Sequence, residues 1–145
     1  MECRLRPQLA LAAQDGHRSL GKPGEQLCAR VGALLAGHAP APALLHGDLW
    51  GGNAAFLKDG TPVLFDPAVY WGDREADLAM TELFGGFSPS FYAAYREASP
   101  LDPGYAVRKT LYNLYHVLNH AHLFGGGYVA QAERMMHQLL AEAGG

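Results

Sequence analysis

The sequence predicts an α+β fold dominated by helix, with one short β-hairpin near its middle. Three observations carry that expectation. Apolar residues recur at helical spacing on both sides of a central stretch, the period turns strand-like over AAFLKDGTPVLF (Ala54–Phe65), and Asp59-Gly60 inside that stretch is a strong reversal signal. At 145 residues, 49% of them hydrophobic and 17% charged, the chain is expected to be one folded domain with a real core.

Taken in order, Cys3–Gln14 reads as a helix with Leu5 and Leu9 on one face. Pro7 is expected in its first turn, where a missing N–H is harmless. Gly16–Gly24 reads as a loop, and Glu25–His38 as one helix on Leu27, Val31, Leu34 and Leu35, stopped by Pro40 and Pro42. After the hairpin come helices only: 73–84, with Asp73 as its cap; 90–98, opened by Ser88-Pro89; 102–124; and 128–142, beyond the Gly125–Gly127 break. The organisation expected is a single domain, 1–145, with a helical segment 1–42, a loop and hairpin 43–68, and a helical segment 69–145.

Charge narrows the function. A net charge of -3 and a pI near 6.1 leave no basic stripe for nucleic acid. No apolar run approaches the roughly 18 residues of a membrane span, and Met1 is not followed by a signal-peptide core, so a cytoplasmic protein is expected. Cys3 and Cys28 lack metal-ligand spacing. His116 and His120 stand i, i+4 on a helix, but the glutamate of a zinc-protease motif is missing.

The chemistry concentrates in HGDLWGGN, His46–Asn53, with Asp66 thirteen residues further on. A two-residue reversal at Asp59-Gly60 would set Asn53 opposite Asp66, on one face and with Cβ atoms about 5 Å apart. The strand residues are apolar on both faces, so the hairpin is expected to be buried with its polar end opening into a cleft. Two hard oxygen donors there suit a magnesium ion that also holds phosphate oxygens, and Asp48 would border the same cavity. The spacing H-x-D-L-x-x-x-N followed by an aspartate past a hairpin is a phosphoryl-transfer pattern. Two other readings stay open: a metal-dependent phosphohydrolase built on His46, Asp48, Asn53 and Asp66, and a non-catalytic remnant or interaction module.

LLHGDLWGGN, VLFDPAVYWGDREADLAM, GGFSPSFYAAY and LYNLYHVLNHAHLFGGGY together resemble the fructosamine kinase (ketosamine-3-kinase) family, related to aminoglycoside phosphotransferases. The resemblance implies the C-terminal lobe of a protein-kinase-like fold and ATP-dependent phosphorylation of ketosamines, a deglycation repair. It implies Asp48 as catalytic base, Asn53 and Asp66 as Mg2+ ligands, Trp50 on the substrate side, and His46 and Asp77 as supports of the catalytic loop. The partners implied are ATP and a ketosamine, free or on a glycated protein amine. No glycine-rich loop before a strand and no strand lysine is legible, since Lys22, Lys58 and Lys109 fall elsewhere. The N-terminal nucleotide-clamping lobe is therefore expected to be absent, and the 145 residues inactive alone.

Overall fold

The structure, a computed structural model, describes residues 1–144. Two compact units emerge: Met1–Gly37 together with the chain from Ala106 onward, and His38–Tyr105.

The first unit is helical. It holds α1 (Glu2–Gln14), a 3-10 turn at Arg18–Leu20, α2 (Gly21–Cys28), α3 (Val31–Leu34), all but the first residue of α6 (Tyr105–Phe124), and α7 (Gly127–Glu142). Helix α2 packs on both α1 and α7. Leu5, Leu9, Leu27, Leu114, Leu118, Met136 and Leu139 are among its buried side chains, each worth roughly 1.5–3 kcal/mol of transfer from water. Gly24 permits the α1 contact, because a Cβ there would stand 2.4 Å from a Leu9 methyl.

Two expectations fail here. The helix expected over 25–38 starts earlier and breaks sooner. Pro23 and Gly24 had marked a loop, yet Pro23 falls in the first turn of α2, where the N–H has no intrahelical acceptor anyway. At the far end Arg30 N–H bonds Leu27 O at 2.9 Å, a tightened i to i−3 step, and α3 restarts at the buried Val31. Pro7 lies in the second turn of α1 rather than the first, since that helix opens at Glu2.

The second unit contains two two-stranded ladders and two helices. β1 (Ala43–Leu45) pairs antiparallel with β4 (Tyr70–Gly72), and β2 (Ala54–Phe56) with β3 (Pro62–Leu64). α4 (Arg74–Leu83) opens on Asp73, whose carboxylate accepts from Glu75 N at 3.0 Å. α5 (Pro89–Ala98) opens on Ser88, which accepts from Phe91 N at 3.2 Å. Both caps are where the sequence placed them. The β1–β4 ladder has no local signature, because three-residue strands are too short for a period of two to show. It nonetheless brackets the central loop, and Ala68 N–H bonding His46 O at 2.7 Å carries the pairing one step further.

The hairpin departs from expectation in register and in burial. Its loop has three residues, Lys58-Asp59-Gly60: Leu57 N–H bonds Thr61 O at 2.9 Å and Gly60 takes φ +84°. That is the turn-plus-left-handed-glycine form, equally compatible with an Asp-Gly pair. Asp59 Oδ1 accepts from Thr61 N at 3.0 Å, and those bonds to Thr61 hold its carboxyl below the ordinary range. Ala54 consequently faces Leu64 and Phe56 faces Pro62, one residue off the expected pairing. Asn53 lies opposite Phe65, whose N–H it accepts at 3.1 Å, and Asp66 falls beyond the ladder. The hairpin is not buried either, with Phe56 76%, Leu57 53% and Leu64 58% exposed.

Candidate active site

β1 delivers the chain into His46, and from there the loop is held by backbone and side-chain bonds at His46, Gly47, Asp48, Trp50 and Asn53. Asp77, in the first turn of α4, accepts from His46 N at 2.7 Å through one carboxylate oxygen and from Gly47 N at 2.9 Å through the other. Gly47 takes φ +84°, and a Cβ there would lie 2.1 Å from Ala68 O, so only glycine fits. The His46 ring is bonded on both sides. Asp48 N–H donates to Nδ1 at 3.3 Å, which leaves the proton on Nε2 to donate to Phe65 O at 2.9 Å.

Asn53 closes the 3-10 turn Gly51–Asn53 and is buried. Its Nδ2 donates to Asp48 O at 2.9 Å and to Asp48 Oδ2 at 3.0 Å. Both amide hydrogens are thereby spent on Asp48, the Asn53 oxygen is turned away from it, and Asp48 Oδ1 keeps its accepting capacity. Asp66 is exposed and takes φ +51°, the one positive φ outside glycine among the described residues. Its carboxylate makes no hydrogen bond or ion pair with the described residues. Phe65, the residue before it, is clasped by His46 through its carbonyl and by Asn53 through its N–H. So the fold joins Asp48 directly to Asn53 and ties Asp66 in through the backbone of its neighbour. The expected face-to-face pair of Asn53 and Asp66 is replaced by this clasp, because the longer loop shifts the register.

Trp50 is 38% exposed. Its ring lies over the Gly52 backbone, where a Cβ would come within 2.2 Å of the indole, and meets the Phe84 ring edge-on at 6.2 Å and 77°.

One cluster escaped the sequence. His38, expected at a helix end, is buried against α4: Nε2 lies 2.7 Å from Asp73 Oδ2 and 3.8 Å from Glu75 Oε2, and Nδ1 lies 3.1 Å from Asp102 Oδ2. Asp73 was legible as a cap, but its partner is 35 residues away, beyond any local signal. The helical histidines do not gather into a cluster: His120 Nδ1 donates to His116 O at 2.8 Å, and His122 pairs with Asp15.

The fructosamine kinase family profile matches residues 1–142 of the chain. The chain belongs to the fructosamine kinase family. The "Probable ketoamine kinase" of Synechocystis sp. is 55% identical over 140 residues, which are 96% of this chain and 46% of that protein. The "Probable ketoamine kinase YniA" of Escherichia coli K12 is 45% identical over 140 residues, 97% of this chain and 48% of that one. A crystal structure from Haemophilus somnus, named provisionally as a fructosamine-3-kinase, superposes with a TM-score of 0.82 at 34% identity, covering 92% of this chain and 45% of that one. One from Thermobifida fusca, with the same provisional name, gives 0.79 at 37% identity, covering 93% and 47%. The chain thus spans about half the length of the fructosamine kinase relatives it matches. The architecture is that of a kinase-like C-terminal lobe. No described helix is long and apolar enough to cross a membrane.

Proposed function

We propose that this chain carries the phosphate-accepting half of an ATP-dependent ketosamine kinase, acting on the 3-hydroxyl of a sugar–amine adduct in a deglycation repair. The observation that carries the reading is the Asn53 amide, which fixes Asp48 through both of its hydrogens and keeps its own oxygen free. Asp48 Oδ1 then has the open lone pairs that a general base needs, on a carboxylate whose other oxygen is locked in place. As the acceptor hydroxyl attacks the γ-phosphorus and ADP leaves, Asp48 takes the hydroxyl proton. Held rotamers matter because phosphoryl transfer depends mainly on positioning and charge rather than on covalent chemistry by the protein.

The donor set fits magnesium. Asn53 offers an amide oxygen and Asp66 a carboxylate without a partner among the described residues, the hard oxygen pair such an ion takes alongside water and phosphate. When bound, the ion would neutralise charge on the transferring phosphoryl group. Trp50 would offer the sugar an aromatic face. A ketosamine and ATP are accordingly the partners, and the cytoplasm is the compartment that fits such a substrate pair.

The same reading makes the 145 residues inactive on their own. Lys22 lies on α2, Lys58 in the hairpin loop and Lys109 on α6, so no strand lysine is available to pair with phosphates. The exposed Phe56, Leu64, Val69 and Trp71 offer the kind of apolar surface that a nucleotide-clamping lobe would cover. Against a dinuclear hydrolase stands His46, whose two ring nitrogens are both engaged in hydrogen bonds and so are closed to a metal.

A chimera tests the proposal. This chain would replace the corresponding half of the Synechocystis relative, and ATP-dependent phosphorylation of fructosyl-lysine would be followed. Activity that disappears in Asp48→Asn, by about 10²-fold or more as expected for a lost general base, supports the reading. A chimera that folds and works equally well with Asn at 48 sinks it. Robust turnover by the 145-residue chain alone would overturn the claim of inactivity.

A further inference from the structure

We infer that Phe84 is a positioning residue for the candidate site: it fixes the Trp50 indole in one orientation, making a preformed platform for the apolar face of the acceptor sugar. The inference rests on the ketosamine reading above for the identity of that sugar, but the positioning itself does not.

A tryptophan 38% exposed would ordinarily sample several rotamers, and here two contacts restrain it. Below the ring is the Gly52 backbone, which lies so close that no side chain could be placed there. Against the ring stands Phe84, its ring centroid 6.2 Å from that of the indole and its plane at 77° to it, the T-shaped geometry in which the positive edge of one ring meets the negative face of the other. Phe84 is itself held. It ends α4 as the C-cap, at φ −120° and ψ 73°, followed by Gly85 and Gly86 at φ +88° and +74°. That turn is pinned by Tyr92, whose hydroxyl accepts from Phe87 N at 2.9 Å and pairs with Thr81 Oγ1 at 3.1 Å. Thr81 is anchored in turn by donating to Leu78 O at 2.6 Å. A chain of contacts therefore runs from the α4 backbone through the turn to the indole, three residues before the Asn53 that holds Asp48.

An exposed aromatic fixed in this way suits a sugar, whose C–H face packs on a π surface while its hydroxyls stay free for hydrogen bonds. A rigid platform also removes the ordering cost that a mobile indole would incur on binding.

The test uses the 145-residue chain carrying Trp71→Phe, so that Trp50 is the single tryptophan of the two. Time-resolved fluorescence anisotropy of Trp50 is compared for Phe84, Phe84→Leu and Phe84→Tyr, with circular dichroism to confirm the fold of each. The expected result is a larger fast-motion amplitude in Phe84→Leu and its reversal in Phe84→Tyr, which keeps the aromatic ring. In the same samples fructosyl-lysine is titrated against Trp50 emission. Phe84→Leu should weaken binding about 2- to 12-fold, the range of one aromatic pair converted at tenfold per 1.4 kcal/mol. Unchanged anisotropy in Phe84→Leu overturns the positioning role, and looser motion accompanied by unaltered ketosamine binding overturns the claim that the fixed indole is the sugar's platform. If the Phe84 parent binds no fructosyl-lysine, the substrate reading of the site fails instead, and the anisotropy alone decides the role of Phe84.

Discussion

Replacing Asp77 with asparagine isolates the device that holds the candidate catalytic loop. The two side chains have the same shape, but the carboxylate accepts from His46 N at 2.7 Å and Gly47 N at 2.9 Å, whereas an amide can accept only one of these and turns its own N–H toward the other. The loss has three parts. One charge-assisted bond is removed, worth about 1.5–3 kcal/mol. The surviving bond is weakened to a neutral one. A negative charge also leaves the first turn of α4, a further 0.3–1 kcal/mol or so. A total on the order of 2–4 kcal/mol follows, a large share of the 5–15 kcal/mol typical of a folded protein. At roughly 2–4 °C per kcal/mol for this chain length, the melting temperature of Asp77→Asn should fall by about 5–15 °C. Thermal unfolding followed by circular dichroism reads that shift. Amide hydrogen exchange separates a local cause from a global one, since protection at His46 and Gly47 should drop before that of the buried α6 residues. A melting temperature within a degree of the parent, with protection at both amides intact, would refute the claim that Asp77 carries the loop.

Gly47→Ala should be comparably damaging for a different reason. The left-handed φ costs about 1–2 kcal/mol for a residue with a Cβ, and the backbone carbonyl of Ala68, 2.1 Å from that Cβ, must retreat and loosen the Ala68 N–H bond to His46 O. A urea midpoint equal to that of the parent would show that the loop relaxes freely. Alkaline stability should depend on Tyr105, where burial and the 2.7 Å bond to Glu82 Oε1 push the phenol well above its ordinary 10.0. Because the folded-state pKa is raised, this contribution is fully present below about pH 10 and is lost as pH rises beyond it. Tyr105→Phe should therefore flatten the decline of the urea midpoint between about pH 9.5 and 11.5. An unchanged slope would assign that decline to other groups.

Local rules made much of this protein legible. Ser88 and Asp73 cap the helices they were expected to cap, because an N-cap needs only its own next three residues. The candidate-loop residues were likewise readable as a group, since His46, Asp48 and Asn53 fall within eight consecutive positions whose spacing matches a phosphotransfer pattern, and the structure bonds the three to one another. Pro23-Gly24 misled because both residues punctuate loops in general, yet one falls in a first turn and the other in a close helix contact.

What the sequence determined by itself, then, was the inventory: most of the helical stretches (though not those over residues 16–38), where the chain reverses, and which oxygen-bearing side chains share the central loop. Tertiary structure decided how they meet. An Asp-Gly pair serves hairpin loops of two or three residues, so local sequence left the register open, and the one adopted comes with distant ties, the His46 and Asn53 clasp on Phe65 and the β1–β4 ladder. The His38 cluster and the exposure of the hairpin also depend on residues far apart in the chain, and no local pattern encodes a neighbour that only the closed fold supplies.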